Sequence, residues 1–268
     1  MKNLGIVNWS PFCWDLNVTP PQNKETVAVK VSRSSPEYRN AAMGEIDVLL
    51  QLAVADKNQE HFVRIRNCFD YRDHVFEKLG LNLHDLLRKN SYGSLPLDLV
   101  RDIGRQLLKS IAARKLTISD HKHLPTSNAI KAIDFGSSTS GYQKHRHLIT
   151  TRSYRAPEVI LGNEWSYPCN MWSIGCILIE LCTGRAPFRT PQDLEHLVMM
   201  EAMLGPLPRQ IHTALQEALE SKSSKQYISQ ERLIDIFMLD SVERLLRYDP
   251  AERLKARDAL THPFFVRY

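Results

Sequence analysis

Glycine is scarce where a phosphate-binding loop would need it. The chain holds 11 glycines in 268 residues, and only Gly5 and Gly44 precede residue 80. A backbone that approaches phosphates closely needs glycine, because a Cβ would stand in the way. The first 79 residues therefore contain no G-x-G-x-x-G phosphate-covering loop. Long apolar runs are also missing, and nothing approaches the roughly 20 residues of a membrane span. The five cysteines, at 13, 68, 169, 176 and 182, form no C-x-x-C pair. That argues against zinc-ribbon and dithiol chemistry and predicts buried, reduced thiols of a cytosolic or nuclear protein. There is no internal repeat, no long low-complexity tract, and no aromatic interleaving or finger spacing of the kind that reads nucleic acid. Met1 to Trp14 has no small-residue cleavage site after an apolar core and is not read as a signal peptide.

What is present is ordinary globular composition, 43% hydrophobic and 24% charged, with a net charge of +5. The charge is uneven: Arg101 to Arg155 holds eleven Lys/Arg against three Asp. This stretch reads either as a solvated helix face and loop or as a surface for acidic or phosphorylated groups. The first 79 residues are strand-rich. Val27, Val29 and Val31 alternate with Ala28 and Lys30, the period-two pattern of a half-buried strand. Ser35-Pro36-Glu37 opens a helix, His61–Cys68 reads as a strand, and so does a shortened Asp73–Phe76. From Gly80 onward the pattern is helical. Leu99, Ile103, Leu107, Leu108 and Ile111 recur at three- and four-residue steps. Ala129–Ile133 reads as a short strand. Met171 to Cys182 is apolar nearly all round and predicts a buried helix ending at Gly184. A further helix runs from Thr190-Pro191-Gln192-Asp193 to Gly205-Pro206. After a polar linker at Ser221–Ser224, two short helices are expected near Val242–Arg247 and Lys255–His262.

Several residues carry chemistry. Lys30, on the strand Val27-Ala28-Val29-Lys30, can place one positive charge on a phosphate group. Glu45, fifteen residues on and inside the following helix, is the carboxylate that could hold it. Taken alone, the same residues describe a surface lysine on a strand. Asp134-Phe135-Gly136 puts a carboxylate at the end of a short strand, where it could meet a magnesium ion. Asp and Gly also favour plain turns. Twenty residues beyond Gly136 comes Ala156-Pro157-Glu158. Arg253, within Asp249-Pro250-Ala251-Glu252-Arg253, is a natural bidentate partner for Glu158.

In this order these motifs resemble a protein kinase, and more narrowly the LAMMER family of dual-specificity kinases, in its plant members above all. The helix after which that family is named corresponds here to Glu195-His196-Leu197-Val198-Met199-Met200-Glu201-Ala202, followed by Leu204-Gly205-Pro206-Leu207-Pro208. Cys13-Trp14-Asp15, Glu77-Lys78-Leu79-Gly80, Leu246-Arg247-Tyr248-Asp249-Pro250 and His262-Pro263-Phe264-Phe265 extend the match over nearly all the chain after residue 12. The resemblance implies an α+β, bilobal protein-kinase-like fold. A reduced strand-rich N-lobe would occupy residues 1–79 and a mainly helical C-lobe residues 80–268. It implies ATP and magnesium as cofactors, with Lys30 and Glu45 on the nucleotide and Asp134 on the metal. It also implies protein partners such as Ser/Arg-rich splicing factors, no direct nucleic acid, no membrane, and a nuclear place of action. The oligomeric state stays open.

The sequence departs from that family in ways that bear on activity. No H-R-D-x-x-x-x-N catalytic loop follows Ala112. The chain runs through Asp120 and Asn128 straight to Ala129. Asp120, with Lys122 two residues later, is the one candidate for the missing catalytic aspartate, yet Pro125 stands where the metal-binding asparagine should be. Asn170 replaces an aspartate at the start of the buried helix. A lost base and a lost metal ligand remove positioning and charge stabilisation together. The expectation is therefore an impaired kinase acting as a binding or scaffold module. The alternative is an active ATP-dependent Ser/Thr/Tyr kinase.

Overall fold

The computed structural model describes residues 5–9, 13–18, 26–32, 35–56, 60–69, 73–113, 129–135, 148–209 and 240–266. They fall into two compact units. The first takes the described residues of Met1–Asn82 and Ala112–Thr139; the second takes those of Leu83–Ile111 and Ser140–Tyr268. The strands lie in the first unit and helices dominate the second. Asp120, Pro125, Asn128, Gly136, much of the basic stretch between Arg101 and Arg155, and the Ser221–Ser224 linker lie outside the described residues. Among the described residues no helix is long and apolar enough to cross a membrane.

The first unit is built on one antiparallel sheet. Its strands are β1 (Gly5–Trp9), β2 (Cys13–Val18), β3 (Val27–Ser32), β4 (Ile65–Phe69) and β5 (Asp73–Glu77), in the order β1-β2-β3-β5-β4. Helix α1 (Pro36–Ala55) follows β3. Ser35 is its N-cap residue in extended conformation, with Pro36 in the first turn, as the sequence predicts; the Ser35 hydroxyl itself makes no capping bond. Ala42, Glu45, Ile46, Leu49 and Leu52 are its buried residues, one helical face. Leu49 packs with Val63 and Phe76, and Ala28, Ile65, Leu79 and Phe135 close around them. Leu52 and Phe62 form a second cluster with Val48, Ala132 and Phe135. The β3 face packed into this core is thus the one bearing Ala28 and Lys30, while Val29 pairs across the sheet with Val75. Side chains alternate along a strand, so a lysine two residues after Ala28 is brought to the same side.

Two strand expectations need correction. The His61–Cys68 strand begins only at Ile65. The buried Asp56 carboxylate captures the backbone N–H groups of Glu60, His61 and Phe62 at 2.9–3.2 Å, which folds that stretch back as a loop. Ala129–Ile133 is no strand but holds a single bridge, Ala132 beside Phe62, and Ile133 is exposed. The short strand read before Glu77 is present and lies interior to the sheet. It runs Asp73–Glu77, pairs with β3 and β4, and buries His74, Val75 and Phe76.

The second unit contains α2 (Leu83–Lys89), most of α3 (Leu97–Ala113), a 3₁₀ turn (Arg152–Tyr154), α4 (Pro157–Ile160), α5 (Pro168–Thr183), α6 (Asp193–Leu204), α7 (Asp240–Leu245) and α8 (Ala256–Leu260). Helix α5 is its centre: Cys169, Met171, Trp172, Ile174, Cys176, Leu178, Ile179 and Leu181 are all buried. Burying each large side chain of that set contributes about 1.5–3 kcal/mol. Trp172 stacks on Phe188 at 5.8 Å between ring centres. Gly175 allows close approach, since a Cβ there would stand 2.8 Å from Leu246. The helix stops at Gly184 in the left-handed region, φ 76°, as expected. On α3 the fully buried stripe is Val100, Ile103 and Leu108. The predicted Leu99, Leu107 and Ile111 are half-buried, a rotation of the core face by a fraction of a turn. The last two helices are shorter than expected at their C-termini, because α7 ends at Leu245 and α8 at Leu260.

Candidate functional site

Lys30 reaches from β3 to α1. Its Nζ donates to both carboxylate oxygens of Glu45, at 2.9 and 3.2 Å, and to Asp134 Oδ1 at 3.0 Å. Burial alone would lower the Lys30 pKa. The opposing charges of Glu45 and Asp134, with their hydrogen bonds, outweigh it and hold the ammonium above its ordinary value. Glu45 is buried, with a side chain only 4% exposed, and its Oε1 accepts a second bond from the Phe135 backbone N–H at 3.1 Å. One carboxylate therefore fixes both the lysine and the residue after Asp134.

Asp134 has the opposite character. Its side chain is 75% exposed and its backbone lies in the left-handed region at φ 63°. A non-glycine residue held there costs about 1–3 kcal/mol and persists only where its surroundings over-determine it. Those surroundings are visible. Ala132 N–H donates to His61 O at 2.8 Å, and Ala132 O accepts from Val63 N–H at 3.1 Å. The Phe135 ring packs edge-on against Phe62 at 5.8 Å. The Lys131 ammonium ion-pairs with Glu77 Oε1, which also accepts the Arg64 N–H at 2.8 Å. Of the sequence-predicted site residues, the structure brings Lys30, Glu45 and Asp134 together; Asp120 lies outside the described residues. Sequence reading missed the Glu77–Lys131 pair, whose members are 54 residues apart; the motif that holds Glu77 gives it no partner.

The donor chemistry fits magnesium and a polyphosphate. Asp134 offers an exposed hard oxygen ligand, and Lys30 offers a cation already placed beside it. Among the described residues no group of three or more His, Cys, Asp or Glu could hold a metal ion. A divalent ion at Asp134 would therefore draw its remaining oxygens from phosphate and water, the usual habit of magnesium.

In the second unit, Glu158 and Arg253 form a bidentate pair at 2.6 Å on each arm, both buried. Arg253 Nε donates to Arg247 O at 2.7 Å, Nη1 to Pro168 O at 3.2 Å and Nη2 to Tyr248 O at 3.1 Å. All five guanidinium donors are thereby used, and the group lies 5.2 Å from the Trp172 ring centre. Just upstream, Tyr154 Oη donates to Glu180 Oε2 at 2.6 Å, and the Ser173 hydroxyl donates to Tyr154 O at 2.9 Å. The segment 152–158 is thus sewn to α5. Burial and the Glu180 carboxylate push the Tyr154 phenol well up. Arg152 and Arg155 both pair with Asp193 at the head of α6. On α6 itself His196, Leu197 and Met200 are buried and Ala202 is exposed, so the family's signature helix packs as structure here.

A family profile described as "Protein kinase domain" matches residues 16–265. The chain belongs to the protein kinase family. It is 46% identical over 312 aligned residues to the serine/threonine-protein kinase AFC1 of Arabidopsis thaliana, with 92% of this chain and 66% of that protein covered. It is 36% identical to the dual specificity protein kinase CLK1 of Homo sapiens, covering 89% of this chain and 60% of that protein. The chain thus spans about two thirds of the length of these LAMMER-type relatives. Among solved structures it resembles the kinase domain PF14_0431, with a TM-score of 0.79, 27% identity, and coverage of 97% of this chain and 94% of that one. The protein kinase fold, with its strand-bearing small lobe and helical large lobe, is therefore the fold of this chain. Lys30, fixed by Glu45, and Asp134 are residues that could hold a phosphate group and a metal ion.

Proposed function

We propose that this chain is a LAMMER-type protein kinase domain that binds magnesium ATP at Lys30, Glu45 and Asp134 and transfers a phosphoryl group to Ser, Thr or Tyr hydroxyls of protein substrates. The observation that carries the reading is the shared lysine, Lys30 between Glu45 and Asp134. Phosphate oxygens would compete with Asp134 for Lys30, leaving the exposed carboxylate free for a cation. Glu45 keeps Lys30 aimed throughout, because its buried carboxylate has no solvent to turn to. Asp134 would hold the magnesium ion, which when bound would supply positive charge to offset that developing on the phosphate. The intact Glu158–Arg253 anchor supports the same reading, since it fixes the segment that precedes α5. The LAMMER resemblance further supports Ser/Arg-rich proteins as partners and the nucleus as the place of action.

One observation favours a second reading, a catalytically impaired binding module. The sequence between Ala113 and Asp134 holds no H-R-D-x-x-x-x-N. The alignment with AFC1 also runs over 312 residues, more than the 268 in this chain, so the relative carries segments without counterpart here. Phosphoryl transfer relies on positioning and charge stabilisation, and that loop supplies a share of both in kinases. One experiment separates the two readings. The purified chain is given magnesium ATP and a Ser/Arg-rich peptide, and thermal stabilisation and phosphate transfer are both measured. Transfer abolished by Asp134→Ala establishes the kinase. Stabilisation without transfer establishes the binding module. Neither signal overturns nucleotide use altogether.

A further inference from the structure

Glu77 and Lys131 close a ring of contacts around the approach to Asp134. Glu77 is fixed to Arg64 twice, its N–H donating to Arg64 O at 3.0 Å and its Oε1 accepting from Arg64 N–H at 2.8 Å. The next residue back, Val63, donates its N–H to Ala132 O at 3.1 Å, and Ala132 adjoins Lys131. The Lys131 ammonium returns to Glu77 Oε1 and completes the circuit. Both side chains are 18% exposed, so water screens the pair only in part.

Ile133 stands between this circuit and Asp134, while Asp134 and Phe135 are tied to Lys30 and Glu45 on the far side. Ile133 is 56% exposed and contributes little packing, and Asp134 points its own side chain outward in a left-handed conformation. The direction in which the chain leaves Ala132 therefore bears on where Asp134 stands between its two supports, and on the near side that direction is fixed in part by the Lys131 charge. We propose that the Glu77–Lys131 ion pair is a positioning element that holds Asp134 and Phe135 in register with Lys30 and Glu45. Glu77 and Lys131 touch neither nucleotide nor metal in this role; they act through Asp134. The consequence for metal binding rests on the nucleotide reading above, whereas the conformational claim does not.

The test uses the full chain and has two arms. In the first, without ligand, hydrogen exchange at the Ala132 and Phe135 amides is followed by NMR in wild type, Lys131→Met, Glu77→Gln and the conservative Lys131→Arg. Methionine keeps the length and apolar stem of lysine, and glutamine keeps an acceptor for the Arg64 N–H. Exchange at Phe135 should rise roughly tenfold in the two neutral variants, with amides in the middle of α1 unchanged and Lys131→Arg near wild type. Exchange at Phe135 within about twofold of wild type in both neutral variants overturns the proposal. A parallel rise at every amide also overturns it, since the pair would then be only a general brace. In the second arm, magnesium affinity at saturating ATP should fall roughly 10-fold in Lys131→Met, while magnesium-free ATP binding stays as in wild type. Equal loss of both overturns the positioning role. If wild type binds no nucleotide at all, the function reading fails and the exchange arm alone decides the inference.

Discussion

Lys30 Nζ stands 2.9 Å from Glu45 Oε2 and 3.0 Å from Asp134 Oδ1, one cation divided between a buried carboxylate and an exposed one. The asymmetry matters. The buried partner cannot exchange its contact for water and is the permanent support; the exposed partner can.

Lys30→Met should therefore damage more than nucleotide binding. Among the described residues, it leaves the buried Glu45 with one remaining donor, the Phe135 N–H. We expect a loss of about 3 kcal/mol of stability, measured by urea unfolding. Lys30→Met combined with Glu45→Leu should regain part of it, because no charge is then left behind. If the single variant is as stable as wild type, Glu45 is not the dependent partner described here.

Arg253 should be among the most sensitive positions of the helical unit. Arg253→Met strands the Glu158 carboxylate and takes a donor from the carbonyls of Arg247, Tyr248 and Pro168. The expected cost is about 3–5 kcal/mol. Arg253→Lys should recover only a small part of it, since one ammonium cannot reproduce the bidentate fork. A denaturation series of the three proteins checks the order.

Stability should fall on mild acidification through His196. Its ring is buried, and its pKa is driven down to about 4, chiefly by burial; Asp193 opposes the shift while the Arg152 and Arg155 charges add to it. The folded form thus refuses a proton that the unfolded chain accepts near its ordinary value of 6.5. The stabilising effect of the neutral ring is complete above that ordinary value and is lost as pH falls toward the folded one. Between about pH 7.5 and 5 the loss should be roughly 2 kcal/mol. Urea midpoints of wild type and His196→Phe across this range provide the check. Parallel pH profiles would remove His196 as the cause.

Two glycines with the same backbone sign should respond differently. Gly184, φ 76°, would place a Cβ 1.7 Å from the Tyr92 carbonyl oxygen; Gly162, φ 67°, has nothing within 4 Å. Gly162→Ala should cost only the left-handed penalty, about 1–2 kcal/mol. Gly184→Ala adds a backbone collision that no rotamer relieves, and its melting temperature should fall well below that of Gly162→Ala. Equal losses would mean that the α5 end can move away from Tyr92.

Much of the architecture was legible from residues alone, for identifiable reasons. The α5 helix is apolar on every side and ends in glycine, so both its burial and its stop were written locally. The Lys30–Glu45 and Glu158–Arg253 pairs could be foreseen because motifs announced each member. The Ala129–Ile133 strand was misread because period and propensity do not reveal whether a neighbouring strand is available. Among the described residues, the bridge that forms there is the single one between Ala132 and Phe62. The stretch before Ile65 was misread because the Asp56 side chain takes backbone donors that a strand would otherwise use.

By itself the sequence determined the family and the identity of the charges, because both depend on which residues stand in which order. It also determined that no H-R-D-x-x-x-x-N precedes Asp134, since that too is a matter of order alone. Only the tertiary structure decided that Asp134 shares its lysine with Glu45, that it sits in a left-handed conformation, and that Glu77 and Lys131 meet. Those facts depend on distances between residues 54 to 104 positions apart. Such distances arise from packing many side chains at once, and no local pattern encodes them.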